Sequence, residues 1–208
     1  SILIVDGQNN HNWKAMTPFM KAQLEKAGMY TVAVATSPQR VNPPRNLTKE
    51  QRAKAQKATN ELNAKAWAAW NPAFAKYDVV ISNYNGQEWP KPVKAAFEKY
   101  MREGGRFICV HAANNSFPNW LENNKMIGLG GWGGRTEKHG PYVYYNEQEK
   151  LVRDTQKGRG GSHGAQHEFT IKIRDAKPPV THGMPAQWKH AQDELYDSLR
   201  GPAENMQV

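Results

Sequence analysis

The residues best suited to chemistry in this chain are histidines set beside small residues and carboxylates. His111 follows Gly104-Gly105-Arg106-Phe107-Ile108-Cys109-Val110 and precedes Ala112-Ala113-Asn114-Asn115-Ser116. With Cys109 two residues before it and Ala113 two after, it has the spacing of a nucleophile elbow. That sharp strand-to-helix turn tolerates only small side chains around the residue it projects. A histidine at the apex suits proton transfer near neutral pH. The alternative is a histidine that merely ends a strand and bonds to a backbone carbonyl. Placing Cys109 at the apex would put Phe107 and His111 where the turn needs small side chains, so Cys109 is expected to be buried instead.

Other polar groups follow apolar runs in the same way. Asp6, Gln8, Asn10 and His11 come after the first run, and Asn83 and Tyr84 after a later one. At the carboxyl ends of parallel strands such groups converge on a crevice. His163, His167 and Glu194 belong to later segments expected over the same rim. Imidazoles beside carboxylates form an acid/base set for hydroxyls or carbonyls, because the carboxylate fixes the tautomer and raises basicity. The set also suits a divalent metal such as zinc. His163-x-x-x-His167 has helical ligand spacing, while Gly160, Gly161 and Gly164 argue for a solvent-facing loop. Residues 128–135 are glycine-rich and read either as a lid or as an ordinary loop. In a lid, Trp132 would stack on a ligand and Arg135 would meet an oxyanion.

Periodicity predicts the elements that must position these groups. Residues 2–5, 30–35 and 77–83 are apolar runs read as strands, and residues 104–110 are read as a strand buried in the middle of the sheet. Trp13, Met16, Met20, Leu24 and Ala27 form the inward face of a first helix closed by Gly28. Residues 37–47 carry Pro38, Pro43 and Pro44 and are irregular. A helical insertion spans about 48–70, begun by Thr48 and Gln51 at capping-box spacing, with Ala55, Ala58, Leu62, Ala66 and Ala69 as its inward stripe. A third helix over 92–102 turns Val93, Phe97 and Tyr100 inward, and 117–126 form a short helix. Residues 167–173 alternate as an edge or antiparallel strand, broken by Pro178 and Pro179. Strand, helix, strand in succession predicts parallel crossovers. The fold class is α/β, a three-layer sandwich with a mostly parallel central sheet, flavodoxin-like, in a single domain over 1–208.

Composition narrows the partners. The chain has 208 residues, 38% hydrophobic, with no run of apolar residues long enough to span a membrane. Its single cysteine excludes an internal disulfide and a cysteine-built metal site. The net charge of +9 is spread along predicted helices, at Lys49, Arg52, Lys54, Lys57 and Lys65, without interleaved exposed aromatics. Nucleic acid is therefore not an expected partner. A homo-oligomer is compatible with this composition. The chain starts at Ser1 rather than Met. That suggests an extracytoplasmic or periplasmic location after signal-peptide removal, with a trimmed cytoplasmic chain as the alternative.

Three pieces lie in a telling order: Asp6-Gly7 with His11-Asn12-Trp13, the elbow ending in Ala113, and Asp193-Glu194-Leu195-Tyr196. Together they resemble the ThuA-like (trehalose utilisation) family, whose fold is that of class I glutamine amidotransferases. The resemblance covers nearly the whole chain and rests on motif order. Amidotransferases carry a cysteine at the elbow apex, whereas ThuA-like proteins place a histidine there, here His111, so glutaminase chemistry is not expected. The resemblance implies a small-molecule carbohydrate or keto-sugar substrate. His111 would act as principal acid or base with Glu194 orienting it and His11 beside it; the expected substrate contacts are Asp6, Asn10, Asn83 and Tyr84 at the strand ends and Trp132 and Arg135 of the glycine-rich loop, to which the resemblance adds Tyr196. Glu194 and Tyr196 are singled out by the resemblance alone. A non-catalytic carbohydrate-binding or scaffold module and a metal-dependent hydrolase are the alternatives on this fold. Two departures stand out. Family members carry His-Pro before a Gly-x-Pro turn, where this chain has Pro178-Pro179 and Thr181-His182-Gly183-Met184-Pro185. The family also continues past Asp-Glu-Leu-Tyr into a final strand and helix, part of which is expected to lie beyond Val208.

Overall fold

The computed structural model describes residues 1–177 and 179–206. The chain divides into two compact units, Ser1–Ser116 and Phe117–Val208. The first contains β1 (Ile2–Asp6), α1 (Trp13–Lys26), β2 (Val32–Thr36), α2 (Lys49–Ala69), β3 (Val79–Ser82), α3 (Lys91–Arg102) and β4 (Arg106–Cys109). Its four strands are all parallel and ordered β2-β1-β3-β4, the α/β arrangement with a parallel sheet that the sequence predicts. β1 lies between two neighbours and every one of its residues is buried, which explains a run without polar alternation. Met20 and Leu24 of α1 pack on Ile2, Ile4, Val32 and Ile81. The helix ends where Gly28 adopts φ 72° and donates to the Glu25 carbonyl. Val93, Phe97 and Tyr100 of α3 are buried as expected.

Two expectations about this unit need correction. β4 is an edge strand rather than a middle one, and Ile108 is 50% exposed. Its apolar run reads like a buried strand, yet Arg106 and Ile108 share the outward face of the pleat. On α2 the inward stripe is not the alanine and leucine row. Leu62 is 57% exposed, and Thr59 is the helix's buried residue, with Ala55, Asn63 and Trp67 half-buried at four-residue steps. Polar residues won this face because they hold backbone. Asn63 donates to the Val41 carbonyl and accepts from its N–H, each at 2.9 Å, tying down the proline-rich 37–47 segment. The predicted Thr48–Gln51 capping box is present.

The second unit contains α4 (Leu121–Ile127), β5 (Tyr142–Tyr145), β6 (Leu151–Asp154), β7 (Ser162–His163), β8 (His167–Lys172), β9 (Gln187–Asp193) and β10 (Tyr196–Asp197). The strands form three antiparallel pairs, β5-β6, β7-β10 and β8-β9. The alternating strand expected at 167–173 is β8, which ends at Lys172, and Pro178 lies outside the described residues. Two buried arginines organise the loops here. Arg135 donates to the Asn124 side chain at 3.1 Å and the Gly131 carbonyl at 2.8 Å. Arg200 donates to the carbonyls of Gly140 and Gln156 and lays its guanidinium over the Tyr142 ring, 3.4 Å from the centroid. Carbonyl dipoles and a ring face here offset the burial of the two cations, although Arg200 Nε has no hydrogen-bond partner among the described residues.

Candidate functional site

Strand order reverses between β1 and β3, and in parallel sheets that switch point opens a crevice at the carboxyl ends. The loops leaving those strands are stitched together by amide side chains. Asn9 donates to both the backbone carbonyl and the Oδ1 of Asn83 at 3.2 Å, and its own Oδ1 accepts the His11 N–H at 3.0 Å. Asn85 donates to Asn10 Oδ1 at 2.8 Å, and the Gln87 N–H to Gln8 Oε1 at 3.0 Å. The position of His11 is thus inherited from β3 through Asn9.

His111 arrives from β4. It adopts φ 46° and opens the 3-10 turn His111–Asn115. A left-handed histidine costs about 1–3 kcal/mol and persists only when its surroundings hold it. Here the Val110 N–H donates to Ser82 O and the Ala113 N–H to Val110 O, both at 3.0 Å, while Ala112 and Ala113 are buried. The turn therefore projects its apex as an elbow does. Its exposed ring meets half-buried His11, with Nε2 to Nε2 at 3.0 Å and the rings edge to face at 61°. In that contact one Nε2 donates and the other accepts, with the roles set by the tautomers.

The deeper candidates do not reach a ligand in the way expected. Tyr84, expected to contact substrate, is fully buried and donates its hydroxyl to Gln87 O at 2.6 Å, and burial pushes its phenol far up. Asn83 is also fully buried, and its Nδ2 donates to Thr17 Oγ1 at 3.1 Å while its oxygens hold Asn9. Asp6 is 2% exposed, with an Oδ1 that has no hydrogen-bond partner. Of the expected substrate contacts in this unit, Asn10 alone is exposed on the rim. The organising roles of Asn9, Asn85 and Gln87 escaped the sequence reading. Their signal was the density of amide side chains in 8–12 and 83–87, whose short side chains bond to nearby backbone.

In the second unit Trp132, His163, Glu194 and Tyr196 come together. The Trp132 ring meets Tyr196 at 4.8 Å between centroids, the His163 ring stacks on Tyr196 at 5.8 Å, and Glu194 Oε1 lies 3.7 Å from His163 Nε2. Burial, then the Glu194 carboxylate, push the Tyr196 phenol up to about 12. The open-lid reading of 128–135 needs correction at Arg135, which is 1% exposed and spends its donors on the chain. Trp132 is pinned as well, since its N–H donates to Gly160 O at 2.8 Å. His163 and His167 do not share a helix. They stand on β7 and β8, and each Nδ1 lies against a nearby backbone carbonyl, of Gly164 and Ala165. Among the described residues no three His, Cys, Asp or Glu side chains gather as a metal ligand set, whereas catalytic zinc draws on three protein ligands.

A parallel sheet in this order, with the site at its carboxyl edge, defines an α/β protein of flavodoxin-like type. The family model described as ThuA, trehalose utilisation, matches residues 2–208, and the chain belongs to that family. Among solved structures it is similar to a ThuA-like protein from Parabacteroides merdae, with 38% identity, a TM-score of 0.81, and 97% of this chain covered. The chain spans 64% of that protein's length. A ThuA-like protein from Bacteroides uniformis shares the fold at 18% identity and a TM-score of 0.53, over 94% of this chain and 59% of the other. No curated protein matches the chain.

Proposed function

We propose that this chain acts in carbohydrate catabolism by proton transfer on a sugar or keto-sugar, with His11 and His111 as the acid/base pair and no glutaminase activity. The observation that carries this reading is the 3.0 Å contact between the two Nε2 atoms, with His111 at a left-handed elbow apex on an exposed rim. A shared proton lets one ring donate while the other accepts, which is what protonating a leaving hydroxyl or removing a proton beside a carbonyl requires. Membership of a trehalose-utilisation family supports the substrate class. An apex imidazole in place of a thiol supports a reaction without an acyl-enzyme step.

The test incubates the chain with trehalose and with keto-oxidised trehalose and follows products by NMR. Turnover by the unaltered chain and none by His111→Gln, with unchanged circular dichroism, is the expected result. Equal turnover by His111→Gln overturns the assignment, and saccharide binding with no product from either protein makes the chain a binding module.

A further inference from the structure

The second unit holds a cleft of about 480 Å³ that the histidine pair does not use, within the roughly 300–1,000 Å³ typical of small-molecule sites. Tyr142 and Tyr144 stand two apart on β5, so their side chains leave the same face of the hairpin. Asp154 lies directly opposite Tyr142 in the antiparallel register and shares that face. Tyr196 and Asp197 of β10, followed by Ser198, complete the polar part of the wall.

We infer that this cleft binds a neutral saccharide of one or two rings, a role that stands whether or not the histidine pair turns over a substrate. Sugar rings present an apolar C–H face and a rim of hydroxyls, and the wall offers a partner for each. Tyr144, 48% exposed, is a ring face open to solvent, while Leu129 and Leu199 line the apolar side. Both carboxylates are held in place by one oxygen. Asp154 Oδ1 accepts the Gln156 N–H at 2.9 Å, and Asp197 Oδ1 accepts the Ser198 hydroxyl at 2.6 Å. An oriented carboxylate is a strong acceptor for a sugar hydroxyl.

The backbone at this wall is strained in a way that fits a binding role. Ser198 adopts φ 56° and is held by the Gly161 N–H, which donates to its carbonyl at 2.8 Å. Non-glycine residues in this region concentrate at binding and catalytic sites. Charge selects the ligand class. Among the described residues that line the cleft the charged groups are the carboxylates of Asp154 and Asp197, which disfavour a phosphate or carboxylate ligand. Arg200, fully buried, already occupies a face of the Tyr142 ring, so that face is closed to a cationic ligand. A neutral polyhydroxylated ring is the class left by both arguments.

Saturation-transfer NMR and calorimetry on the full chain test this, with trehalose and glucose as probes and tetramethylammonium and a sugar phosphate as comparators. We expect a saccharide to bind. Tyr144→Ala should weaken it by about tenfold, in line with the loss of one aromatic anchor, whereas Tyr144→Phe, which keeps the ring face, stays within about twofold. Asp197→Asn weakens binding with the fold intact by circular dichroism. His111→Gln retains saccharide binding at this cleft even where it abolishes turnover, which separates this inference from the catalytic reading. No saccharide binding overturns the inference, as does equal affinity in Tyr144→Ala and Asp197→Asn or preferential binding of either charged comparator.

Discussion

His11 Nε2 and His111 Nε2 lie 3.0 Å apart although the residues are separated by 100 positions in the chain. The two rings are positioned independently, His11 through Asn9 and Asn83 from the end of β3, His111 through the strained turn after β4. On the proposed acid/base reading the two separately held rings act as one proton-carrying group, and such groups lose function non-additively when dissected.

Replacing either member, His11→Asn or His111→Gln, should therefore lower turnover of the proposed saccharide substrate by about 10²–10⁴-fold. The double variant should be no worse than the more damaged single one. Steady-state kinetics on the three proteins measures this, and independent, multiplying losses would show that the rings do not work as a pair.

Gly105 precedes β4, and a methyl group there would run into the Tyr100 ring. The ring cannot yield, because its hydroxyl accepts the Arg106 N–H and donates to the Arg106 carbonyl, both at 2.9 Å. Gly105→Ala should destabilise the fold by about 1–3 kcal/mol, read by urea denaturation, while Gly104→Ala meets no neighbouring atom but is strained at φ 90°. Combining Gly105→Ala with Tyr100→Ala, which clears the ring, should give less than the summed loss.

Arg200 is fully buried and serves two carbonyls and a tyrosine face. Arg200→Met relieves a buried charge but strands the Gly140 and Gln156 carbonyls, and stranded acceptors dominate, at about 2 kcal/mol or more in total. Arg200→Lys does not restore stability, since one ammonium cannot reproduce the planar fork. Denaturant midpoints of the two variants give the comparison.

The Tyr196 phenol, pushed up to about 12 by burial and by Glu194, holds its proton more firmly folded than unfolded. Its contribution is complete below the ordinary phenol value of 10.0 and drains away as pH rises through about 12. An ultraviolet phenolate titration should show a late-ionising tyrosine that vanishes in Tyr196→Phe. That variant should also flatten the alkaline loss of stability between these values.

The parallel sheet was readable because β1, β2 and β3 carry apolar runs, with a helix of clear period between the first two. The elbow was readable because the turn needs small residues around its apex, which Cys109 two before His111 and Ala113 two after it supply. The inward face of α2 was not, since Thr59 and Asn63 face inward to hold backbone, a use that hydrophobic periodicity does not register. Tyr84 and Arg135 were misplaced for a related reason. A polar side chain in a loop looks available until the carbonyl it serves is known, and those carbonyls come from turns with no periodic signature. The β5-β6 hairpin went unseen because Tyr142, Val143, Tyr144 and Tyr145 do not alternate in polarity.

The long helix α2 buries one residue, Thr59, and is begun by its own capping box and continued by alanine. Its twenty-one residues thus carry most of their reasons for being helical within themselves. Its exposed positions can therefore be recharged, or carry a tag, while the strand ladder beneath the paired imidazoles keeps its register.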